Sequence, residues 1–408
     1  MNEVLKQLFW ISFAVIVYTY VGYSLAIALV ARFRPRSRHR SPWNTVSART
    51  PVSILLAVHN GAGVLASKID HLLALDPELI REVIIVSDGS TDGTAEILEQ
   101  TSLHSPGSDR LRAIVLPEHG GKAVALNRGM AEAQGEILLF LDIRPHIDSA
   151  AITALLSNFA DAKVGCVGGE LLLSTNGHGA TALAVSGLYW KYEQWIRNCE
   201  AAWDSPVGVY GGFYAIRRML ATPIPPGTIL DDMFQPLNVI RQGYRSVLDR
   251  TAFVTDRWPA TTAGEFQRKV RTLAGNFQLV ADSPWLLTPE NRVLFQLVSH
   301  KLLRLVVPYF FLILLLTSAI LGASSVAFAS FAAVQILFWI FAALALKLEI
   351  PGLGRIAGPA SALLVLNIAA VVGLYTFLFT SGPLWKIWSP TAIPSDTQMP
   401  LYPESKKA

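Results

Sequence analysis

Ile84-Ile-Val-Ser-Asp-Gly-Ser-Thr-Asp-Gly-Thr94 runs from an apolar stretch straight into a cluster of Asp, Ser, Thr and Gly. With residues 82–86 it reads as a strand buried on both faces, which needs a continuous apolar run instead of alternation. The cluster that follows supplies turn geometry and helix caps. The same grammar repeats on either side. Residues 52–58 are a second such run, ending at His59-Asn60. Over residues 62–75, Val64, Leu65, Ile69, Leu72 and Leu73 recur at helical spacing. Residues 94–101 predict a helix, and 111–116 a strand that ends in Glu118-His-Gly-Gly-Lys122. Residues 122–134 predict a helix, and 136–141 a strand that ends in Asp142-Ile-Arg144. Strands separated by helices imply βαβ units and a parallel sheet. Such sheets bind ligands beyond the carboxyl ends of their strands, where these polar residues lie.

The rest of the chain is bilayer-like. It has 408 residues, 52% hydrophobic and only 16% charged, with a net charge of +4. Residues 8–30, 302–322, 325–346 and 358–380 are each near the ~20 apolar residues that span a bilayer. The first is longer than the apolar core of a signal peptide, so it reads as a retained anchor. Pro308 and Pro359 fall near the predicted helix starts, where proline is tolerated. Arg32, Arg34, Arg36, Arg38 and Arg40 follow the first span, and His300, Lys301 and Arg304 precede the second. By the positive-inside rule residues 41–300 are cytoplasmic in a multi-pass protein of the cell (inner) membrane. Lys347 and Arg355 flank a cytoplasmic loop, which puts both termini outside, although Lys406 and Lys407 of the tail argue against that placement. The arginine run is a topology signal and no nucleic-acid partner is expected. Cys166 and Cys199 form no disulfide or zinc pattern.

Taken together, Ile84–Thr94, His119-Gly-Gly-Lys-Ala-Val-Ala-Leu-Asn-Arg-Gly129 and Leu139-Phe-Leu-Asp142 resemble the family-2 inverting glycosyltransferases, the group of cellulose, hyaluronan and chitin-oligosaccharide synthases. The resemblance covers roughly residues 50–275. It implies a Rossmann-like nucleotide-sugar-binding α/β domain of the family A type, with transmembrane helices. Donor binding then falls to His59, Asn60, Asp88, Asp92, Gly121, Lys122, Arg144, Arg268 and Arg271. Asp88 can accept from a uracil imide or ribose, although capping of the next helix with Ser90 and Asp92 competes. Gly120 and Gly121 let backbone approach a phosphate at the helix N-terminus, and Lys122 adds a point charge. The family's Asp-x-Asp metal element appears here as Asp142-Ile-Arg144. Either Asp142 holds Mg²⁺ or Mn²⁺ with diphosphate oxygens, or Arg144 takes over part of the metal's role. His146 reads as a surface loop residue.

Residues 164–173 predict a strand broken at Gly168-Gly169. Leu188, Tyr192, Trp195, Ile196, Cys199 and Trp203 recur at helical spacing, on a helix that faces either the core or the membrane interface. Gly211-Gly-Phe-Tyr-Ala-Ile-Arg-Arg218 resembles the family's acceptor-side segment, with Gly211, Gly212, Phe213 and Asp231 as acceptor contacts. In Asp231-Asp232 the family's second acid is the general base. As neighbours in an extended stretch the two would point opposite ways, and a helix-capping role is the competing reading. Glu265-Phe-Gln-Arg-Lys-Val-Arg-Thr272 stands where relatives carry Gln-x-x-Arg-Trp. Arg271 matches the arginine, and Thr272 lacks the aromatic wall for a growing chain.

The domain order expected is an N-terminal transmembrane helix (1–31), a basic linker (32–50), a nucleotide-sugar half (51–160), an acceptor half with interfacial helices (161–300), three transmembrane helices (301–381) and a tail (382–408). The function expected is transfer from a nucleotide-sugar, chiefly a UDP-sugar, to a saccharide or lipid-linked acceptor beside membrane lipids. Processive synthesis and a catalytically decayed membrane scaffold are the alternatives.

Overall fold

The computed structural model describes residues 2–36, 50–104, 107–174, 180–257, 262–346 and 354–380, with 382 and 384. The strands are β1 Val52–Val58, β2 Ile80–Asp88, β3 Leu111–Leu116, β4 Ile137–Leu141, β5 Val164–Ser174, β6 Phe213–Arg217 and β7 Arg245–Arg257. They form one sheet in the order β3-β2-β1-β4-β6-β5-β7. The helices are α1 Asn2–Phe33, α2 Ala62–Leu73, α3 Thr94–His104, α4 Lys122–Glu132, α5 Ser149–Leu156 and α6 Ala180–Trp203. They continue with α7 Asp231–Arg241, α8 Thr262–Asp282, α9 Leu294–Gly322, α10 Val326–Leu344 and α11 Gly354–Phe379.

The central strands are apolar throughout because both faces are covered. Ile54, Leu56 and Leu139 pack with Leu65 and Ile69 of α2 and Ile152 of α5. Leu55, Leu138 and Phe140 pack on the other face with Leu126 of α4 and Leu237 of α7. β1, β2, β3 and β4 pair in parallel. These four strands form the parallel sheet that the βαβ units imply, and β6 then extends it antiparallel to β4 and β5. That reversal places the residues entering β6 at the carboxyl end of β4, where Asp142 N donates to Gly212 O at 3.3 Å. The Gly168-Gly169 break is a register shift against β7.

Among the described residues four helices are long and apolar enough to cross a membrane: Asn2–Phe33, Leu294–Gly322, Val326–Leu344 and Ala357–Phe379. Their outer surfaces expose Leu25, Leu312, Leu337 and Val371, as lipid-facing sides would. α9 begins eight residues earlier than its apolar run suggested, so Pro308 lies inside the helix and not near its start. The extension holds Gln296, Ser299 and His300, all buried polar residues. Its π-helical turn Leu297–Leu302 faces another, Tyr18–Gly22, in α1, and Tyr18 Oη lies 2.9 Å from Ser299 Oγ. The apolar face of α6 packs on membrane helix α1, with Ile196 against Tyr23 and Ile27. Arg36 of the arginine run pairs with buried Asp204 at 2.9 Å, so it ties the end of α1 to the residues after α6. Arg38, Arg40, Lys347, Lys406 and Lys407 lie outside the described residues.

Candidate active site

The loops after β1, β2 and β3 are stitched together by their own polar groups. Asp88, 2% exposed, ends β2 and accepts from Gly120 N and Gly121 N, each at 2.8 Å. His119 Nδ1 lies 2.8 Å from the same carboxylate. Asp88 therefore shapes the glycine turn, where Gly121 has φ +90, instead of reaching out to a base or ribose. Asp92 acts as a cap and stays exposed. It accepts from Thr94 N at 3.1 Å and from Ala62 N at 3.0 Å, joining the N-termini of α3 and α2. Asn60 holds the β2 loop by accepting from Thr91 N at 2.8 Å. The His59 ring stacks on His119 with centroids 3.6 Å apart.

Beyond these loops the sheet brings together side chains far apart in sequence. Lys122 Nζ, at the first residue of α4, lies 3.1 Å from Asp142 Oδ1 and 3.4 Å from Asp231 Oδ2. Asp231 and Asp232 form the first turn of α7, not an extended pair. Neighbours on a helix still differ by about 100° in direction. Asp231 is turned inward, 5% exposed, and Asp232 is half-buried. Gly211 sits directly on Asp232, since a Cβ there would lie 3.0 Å from Oδ2. Gly212 O holds Asp142 N. The glycine pair thus seats both acids. Phe213 is corrected from acceptor contact to core, because its ring is fully buried beneath Gly169. Arg268 binds Glu265 of its own helix through two 2.9 Å bonds. Arg144 is exposed on the loop after β4. His146, read as a surface residue, is half-buried and meets His71 edge-on at 4.0 Å.

The electrostatics follow from three carboxylates crowded in one half-buried place. Burial pushes the Asp232 carboxyl up to about 7, with Asp231 and Asp142 adding and Lys122 and Arg197 opposing. Burial works against the Lys122 ammonium, but Asp142, Asp231 and Asp232 more than offset it and lift its pKa above the ordinary lysine value. Burial lowers the Arg271 guanidinium against the pull of the same three acids. Among the described residues the Asp232 side chain makes no hydrogen bond, whereas Asp231 takes Lys122 and, at 3.5 Å, Tyr214 Oη. Tyr214 escaped the sequence reading. Its one signal is the period of two along β6, which puts it on the face of Phe140, where the rings stack 4.5 Å apart.

Residues 53–222 match the family model described as Glycosyl transferase family 2. Poly-beta-1,6-N-acetyl-D-glucosamine synthase of Staphylococcus aureus (strain MSSA476) is 31% identical over 135 residues, covering 33% of this chain and 32% of that protein. The synthase of Staphylococcus epidermidis is 33% identical over 121 residues, covering 29% and 28%. The chain thus aligns with about a third of the length of these curated relatives. A mannosyltransferase from Pyrobaculum calidifontis, solved with GDP-Man and Mn2+, superposes with a TM-score of 0.66 over 89% of this chain and 99% of that one, at 20% identity. At that coverage the likeness of fold extends past residue 222. The polar loops after the parallel strands, the sheet and the family match agree: residues 53–222 form a family-2 glycosyltransferase domain.

Proposed function

We propose that the chain transfers a sugar from a nucleotide-sugar, with a UDP-sugar as the donor, to a hydroxyl of a saccharide or lipid-linked acceptor, with inversion. The observation that carries this reading is the Asp232 carboxylate. It has no hydrogen bond among the described residues, its pKa is raised to about 7, and it lies against the bare backbone of Gly211. In the transfer the acceptor oxygen bonds to the anomeric carbon while its proton passes to Asp232. The bond from that carbon to the diphosphate oxygen breaks, and its electron pair leaves with the diphosphate. A base with a pKa near the working pH suits this role. Lys122 and Arg271 bring positive charge to the leaving group.

Asp142 Oδ1 accepts from Lys122, and its side chain remains 42% exposed. Among the described residues no three His, Cys, Asp or Glu side chains could hold a metal ion by themselves. One accessible carboxylate fits an ion whose other ligands are oxygens of the donor and water. Asp142 would hold Mg²⁺ or Mn²⁺ in that way, and the ion would supply charge stabilisation to the leaving diphosphate. Activity that survives chelation unchanged would transfer this role to Arg144. The arginines after α1 support a cytoplasmic active site at the inner face of the membrane.

A second reading, polymer synthesis, is favoured by the names of the staphylococcal relatives. Against it, Thr272 is exposed and donates to Arg268 O, so that position offers a growing chain no aromatic wall. The purified full chain, assayed with UDP-, GDP- and dTDP-sugars, should release nucleotide from one class and extend acceptor by one or a few sugars. Long polymer would establish the second reading. No turnover with any donor would contradict both and favour the scaffold alternative.

A further inference from the structure

α8 lies between the last membrane helix and the acidic turn of the site. On its membrane side, Gly373 of α11 is buried against α8 backbone. A Cβ at Gly373 would lie 3.1 Å from Ala274 N, 3.2 Å from Leu273 Cβ and 3.3 Å from Val270 O. Phe377, one turn further, stacks on Phe277 with centroids 6.1 Å apart. The crossing is therefore close enough to be set by the missing side chain. On the opposite side, a Cβ at Gly275 would lie 2.8 Å from Leu230 Cγ. Gln278 Oε1 accepts from Ile229 N at 3.1 Å, and Gln278 Nε2 donates to Gly227 O at 3.0 Å. Residues 227–230 lead directly into Asp231 and Asp232 at the start of α7. Arg271 lies on the same turn of α8 that Gly373 touches.

We propose that Gly373 is a positioning residue for sugar transfer: the α8–α11 crossing sets the place of Arg271 and, through Gln278 and Gly275, the place of the Asp231-Asp232 turn. This rests on the transfer reading above. The membrane bundle then contributes to the chemistry by geometry as well as by anchoring. A larger side chain at 373 must push α8 away from α11. The displacement falls on Arg271 and on residues 227–232 together, because α8 is in contact with both.

The test uses the full chain in lipid nanodiscs, comparing Gly373→Leu and Gly373→Ala with Gly322→Leu. Gly322 is the control: a Cβ there would lie 2.9 Å from Ala329 Cα, a contact between α9 and α10 even tighter than the one at Gly373. Gly373→Leu should lower kcat by about 10²-fold, the scale of a ~1 Å misplacement, and Gly373→Ala should restore most of it. Hydrogen exchange should accelerate in residues 227–232 and 262–282 for Gly373→Leu and stay unchanged there for Gly322→Leu. Unchanged exchange at 227–232 in Gly373→Leu, or equal effects of the two leucine variants, would overturn the proposal. Should the unmodified chain transfer no sugar from any donor, the transfer reading fails, and the exchange comparison still decides whether α11 sets the acidic turn.

Discussion

The protein holds two buried clusters of charge, and they are built on opposite terms. At the membrane boundary, His300 is fully buried between Glu193 at 3.0 Å and Glu200 at 2.8 Å. Lys301 lies 2.7 Å from Glu193 and Arg304 lies 2.5 Å from it, while Tyr23 of α1 donates to Glu200 at 2.6 Å. Burial opposes the Glu193 charge, but His300, Lys301 and Arg304 hold its pKa well below the ordinary glutamate value. In the active site, by contrast, three acids face Lys122 and Arg271, and Asp232 makes no hydrogen bond among the described residues. A cluster whose charges are matched joins elements of structure. One left with a carboxyl near neutrality is poised for proton transfer.

The largest expected effect lies in the unmatched cluster. Asp232→Asn keeps shape and removes the base, so transfer should fall by roughly 10²–10⁴-fold. Nucleotide binding should change little, since the carboxylate acts as the new bond forms. Asp231→Asn disturbs Lys122 and Tyr214 and should weaken donor binding more than it slows chemistry. If Asp231→Asn is the variant with intact binding and no transfer, the two roles are exchanged.

The matched cluster should respond in stability. Glu193→Gln leaves Lys301 and Arg304 facing a neutral amide, and breaking a buried ion pair costs about 3–5 kcal/mol. Thermal unfolding in lipid should show the loss at neutral pH. Because the folded Glu193 pKa is held well below the ordinary glutamate value, this stability is complete above that ordinary value and disappears as pH falls towards the folded pKa. A variant that unfolds like the parent would remove the contrast between the clusters.

A smaller effect is expected at the donor-side loops. Asp92→Ala deletes caps on α2 and α3 and should cost about 1 kcal/mol of stability. The donor KM should hardly move if Asp92 acts only as a cap. A large rise in KM with unchanged stability would return Asp92 to the donor site.

Much of the fold was legible because strands buried on both faces leave unbroken apolar runs, as at Val52–Val58 and Ile137–Leu141. The residues after those strands pointed to the site for the same reason. Local capping was less legible. Asp88, Asp92 and Arg268 have the chemistry of ligand contacts, and a neighbouring backbone or Glu265 engages each of them as well. Phe213 looked accessible beside two glycines, yet β6 turns it into the core. The true start of α9 was hidden because Gln296, Ser299 and His300 look like the end of an apolar run. They are tolerated because α1 and α6 cover them. Tyr214 and the crossing at Gly373 depend on contacts between residues far apart in sequence.

The central claim is that Asp232 is the base of the transfer, and a pH–rate profile tests it most directly. Single-turnover transfer at saturating donor should be compared in the parent and Asp232→Asn from pH 5 to 9. With the carboxyl pKa raised to about 7, the base is protonated below that value. The parent rate should therefore fall about tenfold per pH unit below it and level off above it, while Asp232→Asn should be slow and lack this step. A parent profile that is flat through pH 7, or the same step retained in Asp232→Asn, would contradict the assignment.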